Sequence, residues 1–183
     1  WQLRDSTRDP RFLLRKELHL KRISNDYDIV LMDCPPIFNV CCVNALAASD
    51  YVLAPILASK QSTIRVPALL KRLKEFRDNM NADLHVMGII ANRTWRTELT
   101  HDEQNRLSAL ADISRDAYGT AVPLFETFIR NSPEIRVAED EHRPLTSTEG
   151  TYDLFVELAN EVVSNLPNFC VPSPVAGAKE VVA

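Results

Sequence analysis

Short, uninterrupted apolar runs alternate along this chain with longer stretches whose apolar residues recur every three or four positions. Ile29, Val30, Leu31 and Met32 form the first run, which predicts a strand covered on both faces. Further strands are expected over 51–57, 84–91 and 121–128. Helix signals fall between them. Asp9-Pro10 sets an N-cap before a proline at the first helical position, and Leu14 and Leu18 carry the pattern toward Ile23. Residues 44–48 predict a short helix. Pro67 opens another, in which Leu69, Leu73, Phe76 and Met80 line one face. Thr100 and Glu103 form a T-x-x-E capping box, and Gly119 suits the C′ position. Leu107, Leu110 and Ala117 support about five turns between them. A last helix is expected over 151–166, with Phe155, Leu158, Val162 and Leu166 turned inward. After Pro167, prolines and small residues predict a disordered tail.

Strand and helix signals alternate throughout, and the connections are long enough for helical crossovers. The fold class expected is therefore α/β, a mostly parallel sheet with helices on both faces. The domain spans 1–166 and the tail 167–183.

Composition narrows the chemistry. Of 183 residues, 45% are apolar and 25% charged, as in ordinary soluble domains. A net charge of −4 gives no global pull toward nucleic acid or anionic membrane. Cys34, Cys41, Cys42 and Cys170 lack C-x-x-C spacing. His19, His85, His101 and His142 are scattered. Zinc binding and nucleophilic triads therefore find no support in the spacing. No signal peptide and no apolar run of bilayer length is present, so a cytoplasmic protein is expected.

The stretch Tyr27-Asp28-Ile29-Val30-Leu31-Met32-Asp33-Cys34-Pro35-Pro36 carries the candidate chemistry. It puts Asp33 at the expected carboxyl end of a strand, where open α/β sheets keep their ligands. A carboxylate there can hold Mg²⁺ through water beside a triphosphate, and the prolines stiffen the turn that follows. A strand-ending aspartate that merely caps a turn has the same local pattern. The chain has only four glycines, which argues against a glycine-rich phosphate cradle.

Beyond Asp33, the sequence Asn44-Ala45-Leu46-Ala47-Ala48-Ser49-Asp50 leads into Val52-Leu53-Ala54-Pro55. Later come Gly88-Ile89-Ile90-Ala91-Asn92-Arg93, Glu126-Thr127-Phe128-Ile129 and Leu158-Ala159-Asn160-Glu161-Val162. In order and spacing these segments closely resemble the ParA/MinD-type partition ATPases, a P-loop NTPase-like family, over roughly residues 10–166. In that family the Walker B strand reads Y-D-x-x-x-x-D-x-P-P.

The resemblance implies several roles. Asp33 would be catalytic and would position Mg²⁺ through water. Pro35 and Pro36 would form the switch II turn, and Asn92 would contact the base of ATP. It also implies an ATP-state homodimer, a centromere-binding partner protein and non-specific DNA as cargo, with no membrane attachment. A K-G-G-x-G-K-T phosphate loop should precede Asp33 by about a hundred residues, yet only 32 residues do. The chain thus resembles the C-terminal two-thirds of such an ATPase, N-terminally incomplete and inactive alone. Its lone Asp33 strand should leave backbone groups unpaired.

Arg65, Lys71, Arg72, Lys74 and Arg77 lie off the apolar stripe of their helix. They are candidates for DNA phosphate contacts or form an ordinary solvated face. Asn92 could equally turn the chain out of its strand. Two other functions stay open: a shortened, non-hydrolysing homologue acting as an interaction module, or a relative that positions a cargo other than DNA.

Overall fold

The computed structural model describes residues 9–20, 23, 26–35, 37–94 and 98–166. The Asp9 carboxylate accepts the Arg11 amide at 3.0 Å, and Pro10 opens a 3₁₀ turn (Pro10–Phe12) that runs into α1 (Leu13–Leu20). Asn39 caps α2 (Val40–Ala48) by accepting the Cys42 amide at 2.9 Å. That cap starts α2 ahead of the predicted Asn44. Asn44 instead joins two elements: its side chain accepts the Leu14 amide at 3.1 Å and donates to the Pro10 carbonyl at 2.6 Å.

The remaining elements are β1 (Tyr51–Leu57), α3 (Lys60–Thr63), α4 (Val66–Met80), β2 (His85–Thr94), α5 (His101–Tyr118), β3 (Ile129–Arg130), α6 (Pro133–Asp140) and α7 (Gly150–Ser164). The strands form one parallel sheet in the order β1-β2-β3. The architecture is α/β, as the alternating pattern requires. No described helix is long and apolar enough to cross a membrane.

The core gathers where α4 and α5 pack together beside β2. Leu70, Leu73, Leu84, Ile89, Leu107 and Leu110 are each at most 2% exposed. Several sequence signals are realised there. Pro67 lies in the first turn of α4. The Thr100–Glu103 capping box is complete at α5, and Gly119 closes that helix at φ 96°, a left-handed conformation that glycine adopts without strain. Gly88 sits where β2 shifts register against β1; a Cβ there would overlap the Phe125 ring. At the end of α4, the buried Asn81 amide donates to the carbonyls of Leu46 at 3.0 Å and Ser49 at 2.9 Å. This ties α4 to the end of α2.

Four expectations need correction. Residues 29–32 are extended but belong to no sheet: Ile29, Val30 and Leu31 are 40%, 45% and 88% exposed. An apolar run becomes a strand only with a neighbouring strand to pair with, and none lies beside it among the described residues.

The strand expected over 121–128 is reduced to one bridge. Ile89 donates to the Pro123 carbonyl and Phe125 donates to that of Ile89. The chain then leaves the ladder because the Glu161 carboxylate accepts the amides of Glu126 at 2.7 Å and Thr127 at 2.9 Å. It rejoins β2 as β3.

α3 and α6 were not anticipated, although Ser132-Pro133 is a cap-plus-proline start of the kind found at α6. Finally, Phe155 of α7 is exposed rather than inward, and Leu158, Val162 and Leu166 are only half-buried. α7 is fastened by polar groups at its N-terminus, where Thr151 donates to Ser132 and Glu134. The predicted tail lies outside the described residues.

Candidate functional site

Asp33 ends the extended segment, with an exposed side chain that makes no hydrogen bond or ion pair among the described residues. It does not stand at the carboxyl end of a sheet strand, for the reason just given: its segment has no strand to pair with. Pro35 is exposed, and Pro36 lies outside the described residues. The turn that follows is held from another direction. Phe38 is half-buried, and the Arg72 guanidinium of α4 lies 5.6 Å from its ring centre. Burial pushes the Cys42 thiol up, and the neighbouring Cys34 adds to the shift.

Asn92 is placed as the sequence requires, near the carboxyl end of the central strand β2. Its Oδ1 accepts the Arg93 amide at 2.8 Å. Arg93 adopts φ 53°, and the β2–β3 register shifts between Asn92 and Thr94. This bulge turns the chain at the sheet end, a common device beside ligand sites. The Asn92 amide nitrogen makes no hydrogen bond among the described residues, so a donor remains for a ligand. No hydrogen bond or ion pair links Asp33 with Asn92.

The basic face of α4 is less free than its sequence implies. Arg65 and Lys71 are exposed and Lys74 is half-buried, with no ion pair to any of them among the described residues. Arg72 is engaged with Phe38. Arg77 donates to Asp78 at 3.0 Å and stacks 4.5 Å from the Tyr118 ring centre. Sequence reasoning missed both aromatic contacts, because Phe38 and Tyr118 are remote from α4 along the chain.

Near α6 and α7, Arg143 donates to Glu149 at 3.0 Å and to Glu141 at 2.6 Å. The Arg143 guanidinium is the main cause that lowers the Glu149 carboxyl to about 2.

These residues do not by themselves fit a Mg-triphosphate. Asp33 offers one unengaged carboxylate, but no group of three His, Cys, Asp or Glu among the described residues could hold a metal. The described glycines lie in β2, at the end of α5 and at the start of α7, not in a loop of backbone donors. The phosphate cradle is absent from them.

Comparison with known proteins supplies the missing context. A family model described as an AAA domain matches residues 2–86. The chromosome partitioning protein ParA of Caulobacter vibrioides is 27% identical over 161 residues, covering 84% of this chain and 55% of that protein. Apo McdA from Cyanothece superposes with a TM-score of 0.67 at 18% identity, over 87% of this chain and 60% of its own. Cobyrinic acid a,c-diamide synthase from Mycobacterium smegmatis, solved with an ATP analogue and magnesium, gives a TM-score of 0.64 at 19% identity. It covers 84% of this chain and 53% of the synthase. The chain spans about half the length of the curated relatives it matches. The two structural likenesses establish the fold, and the sequence matches show that the chain is similar to the ParA-type partition proteins.

Proposed function

We propose that this chain is the C-terminal part of a ParA-like ATPase that partitions plasmid or chromosomal DNA, with the phosphate loop supplied by polypeptide outside it. The observation that carries this reading is the match to Caulobacter ParA along 161 residues. In this role Asp33 would hold Mg²⁺ through water, Pro35 and Pro36 would shape the switch II turn, and Asn92 would offer its amide donor to the base. The bound nucleotide would supply the charge of its γ-phosphate, which such a turn can sense.

ATP-state dimerisation and stimulation by a centromere-binding partner complete the cycle, which runs in the cytoplasm. DNA contact falls first to Arg65, Lys71 and Lys74, since Arg72 and Arg77 already hold aromatic rings.

The test measures ATP hydrolysis and DNA retention at two salt concentrations. The chain alone gives no turnover, because it has no cradle; turnover that disappears in Asp33→Ala overturns this. In an assembly that includes the phosphate loop, Lys71→Glu lowers DNA affinity for all sequences alike and reduces the salt slope by about one. Unchanged affinity removes DNA from the assignment. A second reading, an interaction module without hydrolysis, is favoured by the unpaired segment 28–33.

A further inference from the structure

We propose that Cys34 and Cys42 are a thiol pair that closes to a disulfide on reaction with a small-molecule disulfide such as oxidised glutathione, and so pins the Asp33 segment to α2. Cys34 is exposed at the end of that segment, and Cys42 is buried in the first turn of α2. The two side chains nonetheless interact, thiol against thiol. The intervening turn brings them together. Asn39 accepts the Cys42 amide at 2.9 Å, which starts α2, and Arg72 lies against the Phe38 ring.

The two ends of the pair are held very differently. α2 is fixed on two sides. Asn81 donates to its Leu46 carbonyl, and Asn44 joins it to Pro10 and Leu14. Residues 28–35 make no backbone hydrogen bond among the described residues. The Cys34 thiol reaches only the Met32 carbonyl of its own segment, at 3.7 Å. A sulfur–sulfur bond would therefore join a segment without backbone anchors to a helix that has several.

Cys41 is the competing thiol on α2. Adjacent residues of a helix do not face the same way. Cys41 is exposed, whereas Cys42 packs in the core cluster with Leu46. The fold thus presents Cys42, and not Cys41, to Cys34.

Exposure also divides the chemistry. Cys34 can meet an external reagent, and burial denies that access to Cys42. The Cys34 sulfur attacks the small disulfide and forms a mixed disulfide; the first small thiol leaves with the Cys34 proton. The Cys42 sulfur then attacks the Cys34 sulfur, and the second small thiol leaves with the Cys42 proton. Two protein thiols are oxidised to one disulfide, and one external disulfide is reduced to two thiols. If Asp33 serves Mg²⁺, the bridge would limit the reach of its carboxylate. That consequence, unlike the bridge, rests on the ParA-like reading.

The test incubates the reduced, monomeric chain with oxidised glutathione. Chymotrypsin cleaves after Phe38 and separates Cys34 from Cys41 and Cys42. Mass spectrometry without reduction should find the two pieces joined through Cys34 and Cys42, and dithiothreitol should free them. Cys41→Ser closes the bridge at the native rate. In Cys42→Ser closure slows at least about tenfold, and Cys34 stops at the glutathione adduct. Cys42→Ala repeats the test, and circular dichroism checks that both variants keep the fold. In concentrated urea Cys41→Ser and Cys42→Ser close at equal rates, because an unfolded chain has no preference. Amides from Cys34 to Val43 exchange at least about tenfold more slowly in the bridged chain.

Equal closure by the folded Cys41→Ser and Cys42→Ser variants overturns the pair. So does a native chain that stops at the glutathione adduct, or one that bridges Cys34 to Cys41, to Cys170 or to a second copy. A Cys34–Cys42 bridge without slower exchange overturns the pinning. No step uses nucleotide, so these outcomes are independent of whether the ParA-like reading holds.

Discussion

The stretch from Tyr27 to Val40 is at least as apolar as the β1–β2–α4–α5 block, yet the two have opposite fates. In the block, Leu70, Leu73, Ile89, Leu107 and Leu110 are at most 2% exposed. In the stretch, Tyr27, Leu31, Ile37 and Val40 are 62%, 88%, 65% and 56% exposed. Apolar sequence is therefore not sufficient for burial. The block contains both sides of each of its interfaces, whereas residues 28–33 of the stretch pair with no strand among the described residues.

Substitutions can break or sharpen this contrast. Leu70→Ala should cost about 2–5 kcal/mol, because a fully buried side chain leaves a cavity; urea denaturation measures it. Gly88→Ala forces a methyl into the Phe125 ring and should cost about 1–3 kcal/mol. Asn81→Ala strips two carbonyls of their donor and should also cost about 1–3 kcal/mol, since unpaired buried acceptors are expensive. Thr100→Ala removes the α5 cap for about 1 kcal/mol. Leu31→Lys should change stability by less than about 0.5 kcal/mol, as a surface substitution does. A cost for Leu31→Lys as large as that for Leu70→Ala would erase the distinction between the two regions.

The smallest effect is electrostatic. Glu149 has its folded pKa depressed to about 2, chiefly by Arg143. Its contribution is therefore fully present above the ordinary glutamate pKa and is lost as pH falls toward 2. Exchange of the Thr146 amide, which donates to Glu149 at 2.6 Å, should quicken relative to its intrinsic rate over that window. Glu149→Gln should flatten the response.

What the sequence made legible follows the same division. The Thr100–Glu103 box, Gly119, Pro67 and the strand over 51–57 were readable because each depends on local chemistry or on partners within the chain. The strand at 29–32 was misread because a continuous apolar run describes the side chains' preference, not the presence of a neighbour. The strand over 121–128 failed for a related reason: Glu161, far along the chain, takes the amides that a ladder would have used. Asn92 was found at its sheet end because its apolar strand is complete. Asp33 was identified as a residue type in a motif, but its segment pairs with no strand among the described residues, which no local pattern reveals.

The contact between Arg72 and Phe38 has a practical consequence for any mutational survey of α4. The guanidinium braces the turn that follows the Asp33 segment, so removing it changes two things together. A screen that scores only retention on nucleic acid would not separate a phosphate contact of Arg72 from this brace. Lys71, exposed and without an ion pair among the described residues, gives the cleaner signal. The proper control for Arg72 is removal of the ring it holds, by Phe38→Leu: equal losses in the two variants identify a mechanical brace, and a loss confined to Arg72 identifies a ligand contact.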